Sequence, residues 1–294
     1  MYDQTSPVSW AENLRLWAPE PNPLEEVLWP TTPFALRPHL ALVARRGSEA
    51  HGLYVPPEDE LGTDDRDLIG VVIPPLSYYV GLDTWEGVDE IRPPWDVALY
   101  EFRKCVRLLC KQNPNMLALL WLEPEDYLYA SPAGKALLGA RDLFRARDVA
   151  FAAFVGYADS QLSHIEQNHT KGYMGEKRKR LVERFGYDTK AAAHLIRLLT
   201  MGEEFLHTGH LQVRRTADAP TLLAIKRGEW LLPDIREYAT IVRERCDAAL
   251  RDSPLPVAID MAAVEHLTTC VLADALAEEV ERARTTVVNA ADWS

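Results

Sequence analysis

The sequence predicts an α+β fold: a small mixed β-sheet with a few helices, followed by an all-helical part. Three observations lead to it. Between residues 37 and 125, apolar runs of strand length alternate with stretches of helical periodicity. From residue 126 onward, helical spacing recurs with almost no strand signal. Where the two regimes meet stands Ser131-Pro132, a helix-start pair. The 294 residues therefore divide into 1–130 and 131–294.

Residues 1–36 read as irregular chain with one or two short helices, punctuated by Pro21, Pro23, Pro30 and Pro33 and packing on the core. Leu40–Arg46 is an apolar run of a buried strand, and Gly47-Ser48 follows it at once. A loop rich in Pro, Gly and acids comes next. A second strand, Asp67 to Ile73, leaves that loop and stops at Pro74-Pro75, which cannot donate to a ladder. Trp95 to Tyr100 is a third strand. Glu101 opens a helix with Phe102, Cys105, Val106 and Leu109 at helical spacing, and Asn113-Pro114 ends it and starts another. Met116 to Leu122 is apolar all round, so it is expected inside. Helices then fit 131–143, 147–168, 174–184, 188–208, 219–227, 233–251 and 258–285, the last open to being two. Gly209 is a C-cap after the central one.

Composition limits the classes of function. A hydrophobic content of 47% supports a real core. No apolar run reaches the length of a membrane span, and MYDQTSPVSW is no signal peptide, so a cytoplasmic protein without membrane contact is expected. The four cysteines, Cys105, Cys110, Cys246 and Cys270, form no CxxC pair and read as reduced thiols. A net charge of −12 argues against tight binding of duplex DNA, which relies on many Lys and Arg contacts. The eight histidines show no zinc spacing.

The chemistry gathers in RRGSEAHGLYVPPEDELGTDDRDLIGVV, Arg45 to Val72. Asp65 and Asp67 are two apart at a strand entry, so both side chains point to one face. Two carboxylates held that close repel unless a cation sits between them. Hard oxygen ligands suit Mg2+ or Mn2+. Gly47 and Ser48 offer backbone N–H groups and a hydroxyl to a phosphate. A phosphate cradle beside an acid pair is what metal-assisted nucleotidyl transfer requires. Asp64 and Arg66 point to the other face and are not assigned.

Gly47-Ser48 followed by Asp65-x-Asp67 resembles the signature of the DNA polymerase β-type nucleotidyltransferase superfamily. Within it, the chain is similar to the bacterial and phage family of predicted nucleotidyltransferases. The matching words run through most of the chain: GSEAHGL, DRDLIGVVIPP, YYVGL, DVALYEFRKCVRLL, NPNMLALLW, GYADSQL and YDTKAAAHLIRLLTMGEEFLHTG. Two departures stand out, a longer loop between Ser48 and Asp65, and Asp64 where such proteins often carry Ser. The resemblance implies a catalytic core in residues 1–130 and a third acid on a later strand, which completes the metal site and acts as general base. Asp96 is the candidate, with Glu101 as its rival.

The helix from Asp188 carries Lys190, His194, Arg197 and Met201 on one face, at i, i+4, i+7 and i+11. Facing the acids, this strip binds phosphates or the acceptor; facing solvent, it pairs with Glu203 and Glu204. Tyr157 and Tyr187 either stack on a base or pack inside. The run Lys177–Arg180 reads as a solvated helix face.

The expectation is a transferase that moves a nucleoside monophosphate from an NTP to an acceptor hydroxyl. Two ions, Mg2+ or Mn2+, are held by Asp65, Asp67 and Asp96, and Gly47, Ser48, Lys190, His194 and Arg197 contact the nucleotide. The acceptor stays open between RNA, protein and a small molecule. The alternative is a nucleotide-binding regulatory or toxin–antitoxin-type protein that keeps the fold without transfer.

Overall fold

The computed structural model describes residues 24, 27, 29–166 and 175–291, with side chains as far as Thr285. Most of the N-terminal stretch expected to hold short helices lies outside the described residues, as does the C-terminal end expected for the 147–168 helix.

The sheet has five strands: β1 (Leu40–Arg45), β2 (Arg66–Val72), β3 (Gly87–Arg92), β4 (Trp95–Glu101) and β5 (Tyr127–Ala130). Their order is β3-β4-β2-β1-β5. β1 runs antiparallel to β2 and β5, β3 antiparallel to β4, and β2 parallel to β4. Among the described residues, eleven α-helices surround and follow it: α1 (Gly47–Ala50), α2 (Ser77–Val80), α3 (Phe102–Cys110), α4 (Pro114–Ala118), α5 (Pro132–Gly139), α6 (Arg147–Glu166), α7 (Glu176–Phe185), α8 (Thr189–Thr208), α9 (Ala219–Lys226), α10 (Leu232–Asp252) and α11 (Met261–Ala291). The mixed α+β architecture is the one expected. The last helix is single, and among the described residues no strand follows β5.

Two strands went unread in the sequence. β3 is an edge strand whose residues alternate between half-buried and exposed, with three charged side chains, so it has no apolar run. β5 has only four residues, and it shows that the helical regime does not begin at 126.

Alternation divides the sheet into two faces. Ile69 and Val71 of β2 face the main core, while Leu68 and Val72 face a second cluster that Val27 and Trp29 help cover. Asp67 keeps the parity of Ile69, so its strand aims it at the main-core side. α8 is the central helix of that side, packed against α6, α9 and α10. Its start is capped by Asp188, which accepts from the Ala191 N–H (3.1 Å), and its end by Gly209 in the left-handed region at φ 69°. Leu195, Leu198, Leu199, Phe205 and Leu206 are all buried, as their spacing predicts.

Glu101 is held by the fold itself. It is 2% exposed and accepts the backbone N–H groups of Arg103 (2.8 Å) and Lys104 (3.0 Å), capping α3. The Tyr79 hydroxyl donates to it at 2.9 Å. The Arg103 guanidinium adds a fourth donor at 3.3 Å, and replacing Glu101 by Ala leaves all four without their acceptor. Glu101→Ala should therefore cost about 1–3 kcal/mol in chemical denaturation.

Candidate active site

Parallel pairing of β2 with β4 sets Asp67 directly opposite Asp96, one rung of the ladder apart, about 4.8 Å between strands. In that register the pair projects from the same face. The end of β1 arrives beside them, because the Arg46 N–H bonds the Asp67 carbonyl at 2.9 Å. The chain then turns through Gly47, at φ 65°, into the single turn of α1. A Cβ built on Gly47 would stand 2.0 Å from Asp67 Oδ2. Only glycine lets the turn lie this close to the carboxylate.

Asp67 is short of positive charge. Burial pushes its carboxyl up to about 7; Arg46 and Lys190 oppose the rise, and Asp96 and Asp65 add to it. Arg46 is committed to Asp96, Nη2 to Oδ1 at 2.9 Å. Asp65 is exposed and lies one residue before β2 begins, so strict strand alternation does not govern it. Among the described residues no group of three His, Cys, Asp or Glu stands together as a ready-made metal cage. The donors nevertheless fit a hard divalent cation in kind. They are carboxylate oxygens on adjacent strands, one of them under-neutralised and pressed against a backbone turn.

A cavity of about 230 Å³ opens beside Asp67. Gly47, Ser48 and Asp67 line it on the sheet side; Lys190, His194 and Arg197 line it from α8. The strip read on that helix thus faces the cleft rather than solvent. Asp65 and Asp96 are not among the lining residues. His194 packs edge-on against Tyr157, with ring centroids 5.5 Å apart, and its Nε2 is buried without a partner. Burial first, then Arg197 and Lys190, drive its pKa down to about 3, so the ring is neutral. Tyr187 is used inside, its hydroxyl donating to the Trp230 carbonyl at 2.7 Å.

Two further residues line this cavity, Lys226 and His51, and a third, Asp64, holds Lys226 from behind it. Lys226, at the end of α9, lines it and bonds Asp64. Asp64 is fully buried, with the Lys190 ammonium 3.1 Å away on its other oxygen. Burial alone would raise the Asp64 pKa; the two lysines outweigh it and hold the group below its ordinary value. Asp64 thus points inward onto two lysines, where strand alternation alone aims it away from the site. The cause is that β2 starts only at Arg66. His51, the other lining residue, stands in the turn after α1. Its backbone carbonyl accepts from the Arg215 N–H (3.0 Å) and its Nδ1 bonds the Val213 carbonyl (2.9 Å). One sequence signal pointed to Lys226: it is the single cation closing an otherwise apolar helix. The basic run of α7 is also used. Lys177 holds the Pro57 carbonyl at 2.8 Å and Arg178 bonds Asp188 at 2.7 Å.

The five-stranded mixed sheet, its Gly-Ser turn and the helical half behind it are those of a polymerase β-type nucleotidyltransferase. The family model described as RNA repair pathway DNA polymerase beta family (RlaP) matches residues 37–234, and the chain belongs to that family. A nucleotidyltransferase-like protein of solved structure from Exiguobacterium sibiricum 255-15 aligns over 84% of this chain and 75% of its own. Its identity is 12% and its TM-score 0.25. No curated protein matches the chain. Among the described residues, no helix is long and apolar enough to cross a membrane.

The raised carboxyl gives a pH signature. An unfolded Asp loses its proton near pH 4, whereas the folded Asp67 keeps it to about 7. Across that window the native state binds more protons, so stability falls as pH rises. Metal-free protein should lose thermal stability between pH about 4 and about 7, and Asp67→Asn should flatten the slope in thermal scans with EDTA. A variant with the wild-type slope would disprove the assignment.

Proposed function

We propose that the protein is a metal-dependent nucleotidyltransferase that moves a nucleoside monophosphate from an NTP to a hydroxyl of an RNA acceptor. The observation that carries this reading is the rung pairing of Asp67 with Asp96 beside a glycine turn that touches the Asp67 carboxylate. The RNA acceptor rests on the family's description, which names an RNA repair pathway. The net charge of −12 fits a local contact with an RNA end better than a long duplex tract.

Asp65, Asp67 and Asp96 would hold Mg2+ or Mn2+, as two ions. Ions so held supply neutralisation of the triphosphate and a lowered pKa for the attacking hydroxyl. Asp96 is assigned as the third acid in preference to Glu101, because Glu101 is consumed in capping α3. Gly47 and Ser48 present N–H and hydroxyl donors to the phosphates, and Lys190, His194 and Arg197 form the opposing wall. In the reaction the acceptor oxygen bonds to the α-phosphorus. Its proton passes to Asp96, which must first leave Arg46. The α–β anhydride bond breaks, and its electrons leave with pyrophosphate. Positioning and charge do most of the work, as in phosphoryl transfer generally.

One observation favours a second reading, a nucleotide-binding protein without transfer: Arg46 already neutralises Asp96. Incubation with each labelled NTP, Mg2+ or Mn2+, and total cellular RNA and protein separates the two. Label in RNA with released pyrophosphate supports transfer; binding alone supports the second reading.

The double variant Asp65→Asn with Asp67→Asn should fold, yet lose label transfer and metal-dependent NTP binding. If it keeps both, the metal assignment is wrong.

A further inference from the structure

In the proposed reaction Asp96 takes the proton of the attacking hydroxyl, yet Asp96 does not line the cavity that Lys190 and Arg197 wall. The acceptor therefore reaches it from outside the cavity, over the β3–β4 side of the sheet. Alternation puts Asp96, Ala98 and Tyr100 of β4 on one face. Their rung partners on β3, which are Ile91, Asp89 and Gly87, share that face. Ile91 stands 57% exposed opposite Asp96. Gly87, opposite Tyr100, has no side chain to cover the tyrosine ring from that strand, and Tyr100 is only half-buried. This floor meets solvent. It offers an apolar side chain, an aromatic ring and one further carboxylate, the exposed Asp89.

The wall beside the floor is α3. Its buried positions, Phe102, Cys105, Val106 and Leu109, face the main core. On the opposite side Lys104, Arg107 and the C-cap residue Lys111 recur at i, i+3 and i+7, so they form one stripe. The stripe spans about 10 Å of helix. No acid interrupts Phe102–Cys110, although the whole chain carries a net charge of −12. A solvated helix face ordinarily mixes both signs. Arg107 and Lys111 are exposed, and among the described residues neither forms an ion pair. Lys104 meets Glu86 at 3.4 Å, and its ammonium stands 5.9 Å over the Tyr100 ring. The stripe thus starts over Tyr100 and ends four residues short of Asn115, which lines the cavity. Segregated positive charge beside an uncovered aromatic ring suits a nucleic-acid strand, whose backbone follows the cations while a base stacks.

We propose that the β3–β4 floor and the α3 stripe are the docking surface for the single-stranded end of an RNA acceptor, with Lys104, Arg107 and Lys111 on its phosphates and Tyr100 under a base. That the strand is the acceptor rests on the nucleotidyl-transfer reading; the affinity for single-stranded RNA does not. Nucleotide and strand then come to Asp67 and Asp96 from two sides, one through the cavity under α8 and the other over the open floor. Tyr100 stands four strand residues, about 13 Å, from Asp96, so the stacked base belongs to a nucleotide behind the reacting end. Asp89 is placed to accept from a ribose hydroxyl near that end.

The test uses the full chain in EDTA without NTP, so that neither metal nor chemistry takes part. Its probe is a fluorescent oligouridylate of about twelve nucleotides, read by anisotropy across a salt series. The triple variant Lys104→Gln, Arg107→Gln, Lys111→Gln should melt as the wild type does, because none of the three is buried. It should bind the probe at least about tenfold more weakly. Its plot of log affinity against log salt should be flatter by about 2, roughly 0.7 for each phosphate contact removed. A control with the same change of charge on α7, Lys179→Gln, Arg180→Gln, Arg184→Gln, should bind as the wild type does. Tyr100→Leu should lose affinity that Tyr100→Phe keeps. In the transfer assay the α3 variant should raise KM for RNA and leave KM for the NTP alone. No binding by the wild type, equal losses in the two triple variants, or wild-type affinity in the α3 variant would overturn the surface. The expected binding pattern with no label transfer to any acceptor would sink the transferase reading alone. Label transfer to RNA with an unchanged KM in the α3 variant would sink the surface alone.

Discussion

Everything at this site depends on a repulsion that the backbone enforces. Parallel pairing of β2 with β4 fixes Asp67 and Asp96 on one rung, and neither can move away without breaking the ladder. Gly47 presses on the Asp67 carboxylate from the third side. Burial first, and then Asp96 and Asp65, push the Asp67 carboxyl up to about 7 against Arg46 and Lys190. A cation is the inexpensive cure, and Arg46 supplies half of it by bonding Asp96. What remains on Asp67 is negative charge held ready for a stronger cation.

The cavity is lined mostly by positive charge. From the sheet side Asp67 meets it beside Arg45 and Arg46, and α8 with α9 brings Lys190, Arg197 and Lys226. Asp64 holds the two lysines in place from a fully buried position. His51 ties the turn after α1 to the 213–215 segment through its carbonyl and its ring. A hydrophobic core shared by both halves, from Leu42 and Ile69 to Phe205 and Val242, backs that coupling. An acidic protein can thus bind an acidic substrate, because its local charge near the cavity runs against its net charge.

Much of the frame was legible in the sequence because it follows local rules. Caps at Asn113, Ser131 and Asp188 and the stop at Gly209 all stand where the side chains said. Spacing on α8 separated a core face from a polar strip, and the strip does face the cleft. Partners far apart in sequence were not legible. Nothing local says that Asp67 pairs with Asp96, since a parallel register is set by the crossover between them. Likewise the Asp64–Lys226 contact spans 162 residues. The alternation rule misplaced Asp64 because it was carried back into the loop that precedes the strand, and the ladder begins only at Arg66. β3 escaped notice because an edge strand carries charge in place of an apolar run.

The buried guanidinium and the buried acid are one design seen from two sides. Each is destabilising alone, and the protein does not pair them: Arg197 is held by neutral His51, and Asp67 stands across the cavity on the sheet. Had the fold been selected for stability alone, a direct ion pair or an apolar pair would have served better. Keeping them apart leaves room for a molecule that is anionic at one end and takes a cation at the other. A nucleoside triphosphate with its metal meets both demands, whereas a free anion or a free metal meets only one. On the proposed function, such a ligand would relieve the two costs together, and its binding energy would be directed to the reacting bond instead of to the resting fold.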